Sequence, residues 1–156
     1  MPTTTPTVAQ RIASGLASLT RIKAFIGKNQ TTVVRSMIRN SEERDFFIDK
    51  MIALEALIAA MPVTYEQDGK GDAAVAYLHY FTAGCDFYIT EKDKGDADDS
   101  PEDAQSQAYG YTILNGDDDM AEMGYISLPE ILSCRAELDF YFKPTPLGEI
   151  KARRAA

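Results

Sequence analysis

The spacing of apolar residues changes once along this chain, and that change limits the folds that it can adopt. Up to residue 61, apolar residues recur every three or four positions, which is the period of an amphipathic helix. Beyond residue 74 they alternate along short runs, which is the period of a β-strand. The sequence therefore predicts a helical segment over residues 1–61 and an α+β domain over residues 62–156.

The helical segment is predicted to form a helical hairpin or a three-helix element. Its first helix covers residues 8–26, with Thr7 as the N-cap and Gly27 as the C-cap. A third helix is predicted to begin with a capping box formed by Asn40 and Glu43. A short second helix lies between them.

The second part is predicted to form a mainly antiparallel sheet of about five strands with one short helix. Ser127 is a suitable N-cap for that helix, since a proline follows in its first turn. Most connections between the strands are too short for the crossover helices that parallel strands need. The predicted strands cover residues 75–81, 86–90, 109–114, 122–126 and 137–142.

Charge is divided unevenly between the two parts. The 156 residues contain 16 basic and 24 acidic side chains, for a formal net charge of −8. Every charged residue before position 40 is basic, whereas acids dominate beyond residue 62. A net negative molecule is repelled by nucleic acid and by anionic membranes. We therefore expect neither as the main partner, although the basic segment leaves weak nucleic-acid binding open as an alternative.

The expected location follows from features that the sequence lacks. No apolar run approaches the roughly 20 residues that span a bilayer. The first residues have neither the basic nor the apolar region of a signal peptide, and two cysteines are too few for a disulfide framework. We expect a cytoplasmic protein in a bacterial cell.

Four segments of the second part occur in an order that resembles a known family. They are residues 88–91 (YITE), 110–111 (GY), 122–130 (EMGYISLPE) and 137–150 (ELDFYFKPTPLGEI). Over residues 73–150 the chain resembles the family catalogued as domain of unknown function 2958. That family occurs in bacteria, on plasmids and in phages, and also within large polyvalent proteins beside anti-restriction modules. The resemblance implies a mobile genetic element as the setting, and it supplies no established catalytic residues.

The usual catalytic and metal-binding motifs are missing from the sequence. His79 is the only histidine, so two-histidine metal sites are excluded, and we expect a half-buried, hydrogen-bonded structural residue. Cys85 and Cys134 lack the paired spacing of zinc ligands and are expected to be small buried residues. We predict no cofactor and no metal.

Acidic residues form two clusters. One is the loop over residues 92–106, which includes Glu102 and Asp103, and the other is Asp117, Asp118 and Asp119. Solvated loops are the simplest interpretation. Imitation of a nucleic-acid backbone, with its regular track of like charges, is the alternative.

The remaining candidate binding residues are tyrosines, one glutamate and the basic residues of the helices. Tyrosines on an outer sheet face favour protein recognition, because they offer a large contact area at low entropic cost, but they could equally cover the helices. The basic residues either lie on solvated helix faces or contact an acidic partner. The candidates are Tyr88, Glu91, Tyr111, Tyr125, Tyr141, Arg21, Lys28, Arg35 and Arg39.

The sequence favours a non-catalytic accessory protein of a phage, plasmid or other mobile element that binds a host protein. Inhibition of a defence system, either CRISPR or restriction, is the expected role. The alternative is a small enzyme or ligand-binding domain with His79, Glu91 and Tyr125 around one pocket. The two hypotheses differ in whether these three residues converge in a concave site or are dispersed.

Overall fold

A computed structural model describes residues 2–100 and 104–156 of the chain. Within the described residues, the α-helices are α1 (Val8–Arg21), α2 (Lys28–Asn40), α3 (Arg44–Ala60), α4 (Leu128–Ser133) and α5 (Leu147–Ala155). The strands are β1 (Val75–Ala76), β2 (Leu78–Thr82), β3 (Cys85–Glu91), β4 (Ala108–Ile113), β5 (Glu122–Ile126), β6 (Glu137–Leu138) and β7 (Thr145–Pro146).

Five of these strands form one antiparallel sheet in the order β5-β4-β3-β2-β6. The short strands β1 and β7 pair with each other as a separate ribbon. The α+β architecture with N-terminal helices and a mainly antiparallel sheet is therefore confirmed.

The start of α1 follows the sequence prediction, whereas the next two helix boundaries do not. Thr7 and Gln10 form a reciprocal capping box at the start of α1. Gly27 is the N-cap of α2 and not the C-cap of the first helix, because α1 ends at Arg21 and a 3-10 turn follows. Asn40 is the last residue of α2, so the capping box predicted from it at the start of α3 is wrong.

A side-chain contact explains the junction between α2 and α3. The guanidinium group of Arg44 donates hydrogen bonds to the carbonyl oxygens of Ile38, at 2.7 Å, and Arg39, at 2.6 Å. These carbonyls belong to the last turn of α2, where intrahelical partners are lacking. The side chain of Arg44 therefore stabilises the junction at which a capping box was expected.

Two predicted strands are shorter in the structure. The run over residues 75–81 divides at Tyr77, because β1 pairs with β7 while β2 pairs with β3 and β6. The last predicted strand ends at Leu138 and continues as a turn, and α5 beyond it does not correspond to any predicted element. Ser127 does cap α4, as expected, by accepting a hydrogen bond from the Glu130 N–H group.

The helical segment and the sheet share one hydrophobic core. Leu19, Ile38 and Ile48 of the helices belong to the same buried cluster as Leu78 and Ile89 of the strands. The opposite face of the sheet is covered by α5 and by the β1–β7 ribbon, which form a second buried cluster. The sheet is thus buried on both faces over much of its area.

Within residues 2–100 and 104–156, none of the helices combines the length and apolar character needed to span a bilayer.

Candidate functional site

A cavity of about 460 Å³ lies where the end of β3 meets β4, β5, α5 and the loop over residues 64–72. It contains two of the three residues of the predicted pocket, Glu91 and Tyr125, together with Tyr65 and Tyr109. His79, the third, lies outside this cavity. The cavity is the best candidate for a functional site because it brings a buried carboxylate and three tyrosines together.

A β-bulge directs Glu91 into the cavity. The pairing of β3 with β4 shifts between Ile89 and Glu91, so that Ile89 lies opposite Gly110 and Glu91 lies opposite Tyr109. Thr90 is the extra residue of the bulge. Without it, Glu91 would point to the same side of the sheet as Ile89, towards the helices. The bulge therefore places Glu91 in one cross-strand row with Tyr109 and Tyr125.

Glu91 is 3% exposed, although it carries a carboxylate. One of its oxygens accepts a hydrogen bond from the backbone N–H group of Tyr65, at 2.5 Å. Tyr65 itself has a φ angle of 80°, in the left-handed region that bulky residues rarely adopt. Such a conformation costs about 1–3 kcal/mol and persists where surrounding contacts hold it.

The loop that carries Tyr65 is attached to the sheet by hydrogen bonds on both sides. Lys92 N–H donates to the Pro62 carbonyl and Thr64 N–H donates to the Lys92 carbonyl, at 2.9 and 3.0 Å. The buried side chain of Gln67 bonds to both polar backbone groups of Val75, at 2.8 Å each. These bonds fix the loop as one wall of the cavity.

Three tyrosines form the aromatic part of the cavity. The rings of Tyr109 and Tyr125 are nearly perpendicular, at 81°, with their centroids 5.6 Å apart. The hydroxyl groups of Tyr65 and Tyr125 are hydrogen-bonded to each other. That bond, then desolvation and the negative charge nearby, raises the pKa of Tyr125 above its ordinary value.

Negative charge predominates around the cavity. Asp68 and Asp72 line it in addition to Glu91, and Lys151 is the only basic residue in its described lining. The Lys151 ammonium group is already bound to Asp72, at 2.7 Å, and lies 5.0 Å from the centre of the Tyr111 ring. The ammonium group is therefore already paired with a carboxylate other than that of Glu91.

His79 belongs to a separate polar cluster. Its Nε2 atom lies 2.7 Å from Asp86 and its Nδ1 atom lies 3.1 Å from Asp139, while its ring stacks on Tyr88 at 4.5 Å. Arg154 of α5 extends the cluster by contacting Asp86 at 3.5 Å. The prediction of a half-buried, hydrogen-bonded histidine is confirmed. Since both ring nitrogens are occupied, neither is available as a base towards a ligand.

Tyr88 and Tyr111 do not lie on an exposed outer face of the sheet, which is one of the two interpretations left open for the tyrosines. Both are buried, in the cluster that includes Leu147 and Ile150 of α5. Burial, followed by the negative charge of Asp86, raises the pKa of Tyr88. The expected recognition face is covered because the C-terminal helix, which the sequence pattern did not predict, packs on it.

The other predicted site residues are dispersed over the surface. Tyr141 is 78% exposed and stacks on Phe46 of α3, at 6.1 Å. Arg21 forms an ion pair with Glu55 of α3, and its hydrogen bond lowers the pKa of Glu55. The remaining basic residues, all exposed on α2, are Lys28, Arg35 and Arg39.

Among the acidic candidates, Asp118 is bound to Arg154 at 2.6 Å, and Asp117 accepts a hydrogen bond from the Asp119 N–H group. Glu102 and Asp103 lie outside the described residues. Across 2–100 and 104–156, histidine, cysteine and acidic side chains form no group of three that could hold a metal ion. The prediction that both cysteines are buried is wrong, because Cys134 is exposed and Cys85 is only partly buried.

Tyr65 and Tyr109 are site residues that the sequence patterns did not select. Tyr109 lies on the same face of its predicted strand as Tyr111. That alternation is a signal from which Tyr109 could be selected as a candidate together with Tyr111. Tyr65 lies in a polar link and comes close to Glu91 only through a contact across 26 residues. No local pattern indicates such a contact.

Comparisons of the chain with protein-family models, curated proteins and solved structures found no match. The resemblance to domain of unknown function 2958 therefore stays a prediction. The geometry itself describes a site with a buried carboxylate, tyrosine hydroxyls and aromatic faces. Such groups are able to accept hydrogen bonds and to stack on a ligand.

Proposed function

We propose that this protein is a non-catalytic accessory protein of a phage, plasmid or other mobile element, and that it inhibits a host defence system by binding a host protein. The setting rests on the resemblance of residues 73–150 to domain of unknown function 2958. The binding role rests on one structural observation. Tyr65 and Tyr125, which are 70% and 57% exposed, stand at the rim of a cavity whose wall contains the buried carboxylate of Glu91.

Exposed tyrosines beside a concave site are typical of protein-binding surfaces. Tyrosine is enriched at interface hot spots, where a large ring is buried and its hydroxyl still finds a partner. Here the Tyr65 and Tyr125 hydroxyls hold each other, which restricts both side chains before a partner arrives. A restricted side chain loses less entropy on binding.

The alternative of a small enzyme required His79, Glu91 and Tyr125 around one pocket. Glu91 and Tyr125 share the cavity, but His79 has both ring nitrogens bonded to Asp86 and Asp139. This separation favours binding over catalysis. No described group in the cavity is paired with a base that would activate it as a nucleophile.

The test is to capture the partner with the tagged protein from the bacterial host, identify it by mass spectrometry and measure binding with the purified partner. Tyr125→Ala is expected to weaken binding about thirtyfold, as loss of a hot-spot side chain does. Tyr141→Ala is the matched control, because Tyr141 is also exposed but stacks on Phe46 outside the cavity.

Two outcomes would contradict the proposal. One is the absence of any stoichiometric host partner. The other is a partner whose affinity falls with Tyr141→Ala and not with Tyr125→Ala, which would place the binding surface elsewhere. Inhibition of the purified partner's own activity by this protein is the expected result that supports the anti-defence role.

A further inference from the structure

The carboxylate of Glu91 has unused hydrogen-bonding capacity inside the cavity. One oxygen accepts the Tyr65 N–H bond, and no described residue bonds the other. Within the described residues, every fully buried side-chain nitrogen or oxygen has a partner. The second oxygen of Glu91 therefore retains access to the cavity, although the residue as a whole is only 3% exposed.

A buried carboxylate is stabilised when a cation neutralises it, and the described neighbourhood of Glu91 provides none. No described lysine or arginine forms an ion pair with Glu91, and two lysines near the site are bound elsewhere. Lys151 binds Asp72 at 2.7 Å, and the Lys92 ammonium group donates to the carbonyl oxygens of Ile58 and Ala59, at 2.7 and 3.2 Å. The site thus has an anion in place and lacks the matching cation.

The aromatic residues restrict which cation fits. Tyr109 and Tyr125 present two perpendicular rings beside the carboxylate, in the same cross-strand row. A planar guanidinium group can stack on one tyrosine face and still direct its N–H groups to a carboxylate, since its donors lie in the plane. A quaternary ammonium group has no N–H group for the free oxygen of Glu91, and a primary ammonium group cannot stack.

We propose that this cavity receives the guanidinium group of an arginine side chain from the partner protein. That the arginine belongs to a partner protein rests on the proposed function. Its chemistry rests on the site alone, because Glu91, Asp68 and Asp72 make the cavity acidic and Tyr109 and Tyr125 supply the stacking surface.

The test uses the intact chain and N-acetyl-arginine methylamide as the probe, followed by amide chemical shifts in NMR titrations. We expect a dissociation constant of about 1 mM, which is reasonable for so small a ligand. The shifts should centre on Tyr65, Glu91 and Tyr125. The citrulline analogue has the same shape without the charge and should bind about tenfold more weakly.

Two variants connect the binding to the carboxylate. Glu91→Gln keeps the acceptor for the Tyr65 N–H group and removes the charge, so the arginine probe should bind about tenfold more weakly. Glu122→Gln is the control, since Glu122 is an exposed acid of β5 outside the cavity. If Glu91→Gln does not fold, Tyr125→Ala tests the stacking surface instead, and it should also weaken binding of the arginine probe.

Equal binding of the arginine and citrulline probes, or tighter binding of the lysine analogue, would overturn the assignment of a guanidinium ligand. Arginine binding without any host partner would support the site and reject the proposed function. If Tyr125→Ala abolishes binding of the host partner and the arginine probe does not bind, the proposed function is supported and the guanidinium ligand is rejected.

Discussion

At the scale of single residues, two glutamines bond to backbone groups that a neighbouring strand would otherwise bind. The Gln67 amide bonds to the N–H and C=O groups of Val75 and to the carbonyl of Thr90. The Gln30 amide bonds to both backbone groups of Leu138, at 2.8 and 2.9 Å, on the edge strand β6. These contacts provide hydrogen-bond partners for backbone groups at positions where strand pairing stops. An edge strand whose backbone groups are already bonded is less able to pair with another chain.

Gln67→Met tests the first of these contacts. Methionine has a similar length but cannot bond to the backbone, so three groups of Val75 and Thr90 lose their partner. Each unsatisfied buried group costs about 1–3 kcal/mol, and we expect the free energy of unfolding to fall by about 3 kcal/mol in urea denaturation. Gln107→Met, at an exposed glutamine, should change it by less than about 0.5 kcal/mol. Equal effects of the two changes would show that these bonds contribute little.

At the scale of elements, the close approach of β3 and β4 depends on a glycine. A Cβ atom on Gly110 would lie 2.0 Å from the backbone oxygen of Tyr88, far inside contact distance. Gly124 is the partner of Gly110 on β5, and a Cβ atom there would meet nothing within 4 Å. Two glycines opposite each other in one sheet therefore have different roles.

Gly110→Ala and Gly124→Ala form a matched pair for this difference. The first should lower the free energy of unfolding by about 3 kcal/mol or prevent folding, because β4 must move away from β3. The second should raise it by up to about 1 kcal/mol, because alanine loses less backbone entropy on folding. Urea denaturation of both variants provides the comparison, and similar losses would contradict the close approach of β3 to Gly110.

At the scale of the whole molecule, the helices and the sheet are joined by one core. Ile48 of α3 is fully buried in the cluster that contains the strand residues Leu78 and Ile89. Gly15 permits the contact between α1 and α3, since a Cβ atom there would lie 2.9 Å from Ile48. We therefore expect residues 1–61 and 62–156 to unfold together, although the sequence suggests separate segments.

The chain offers a convenient measurement of this coupling. All eight tyrosines lie at or beyond position 65 and there is no tryptophan, so every tyrosine signal comes from a ring in the second part. Ile48→Ala, in the helical segment, should lower the free energy of unfolding by about 2–4 kcal/mol. The tyrosine and helical circular dichroism midpoints should shift together, and an unshifted tyrosine signal would show that the helical segment unfolds on its own. Ile52→Ala, a more exposed position on α3, should have a much smaller effect.

The sequence by itself determined the features that depend on a few consecutive residues. The types of element follow from the apolar period, and the caps at Thr7 and Ser127 need only a residue three positions away. The β2–β3 hairpin also depends on a few consecutive residues. Its two loop residues, Ala83 and Gly84, have φ angles of 45° and 81°, which suit the tight turn marked by the glycine.

Only the tertiary structure determines which residues come together in the cavity. The bulge at Thr90 turns Glu91 towards Tyr125, and the loop contact brings in Tyr65. The packing of α5 then removes Tyr88 from the surface. Each of these features depends on contacts between residues far apart in the chain. Local preferences cannot specify such contacts, because the alternation of a strand defines its two faces but not what will cover either of them.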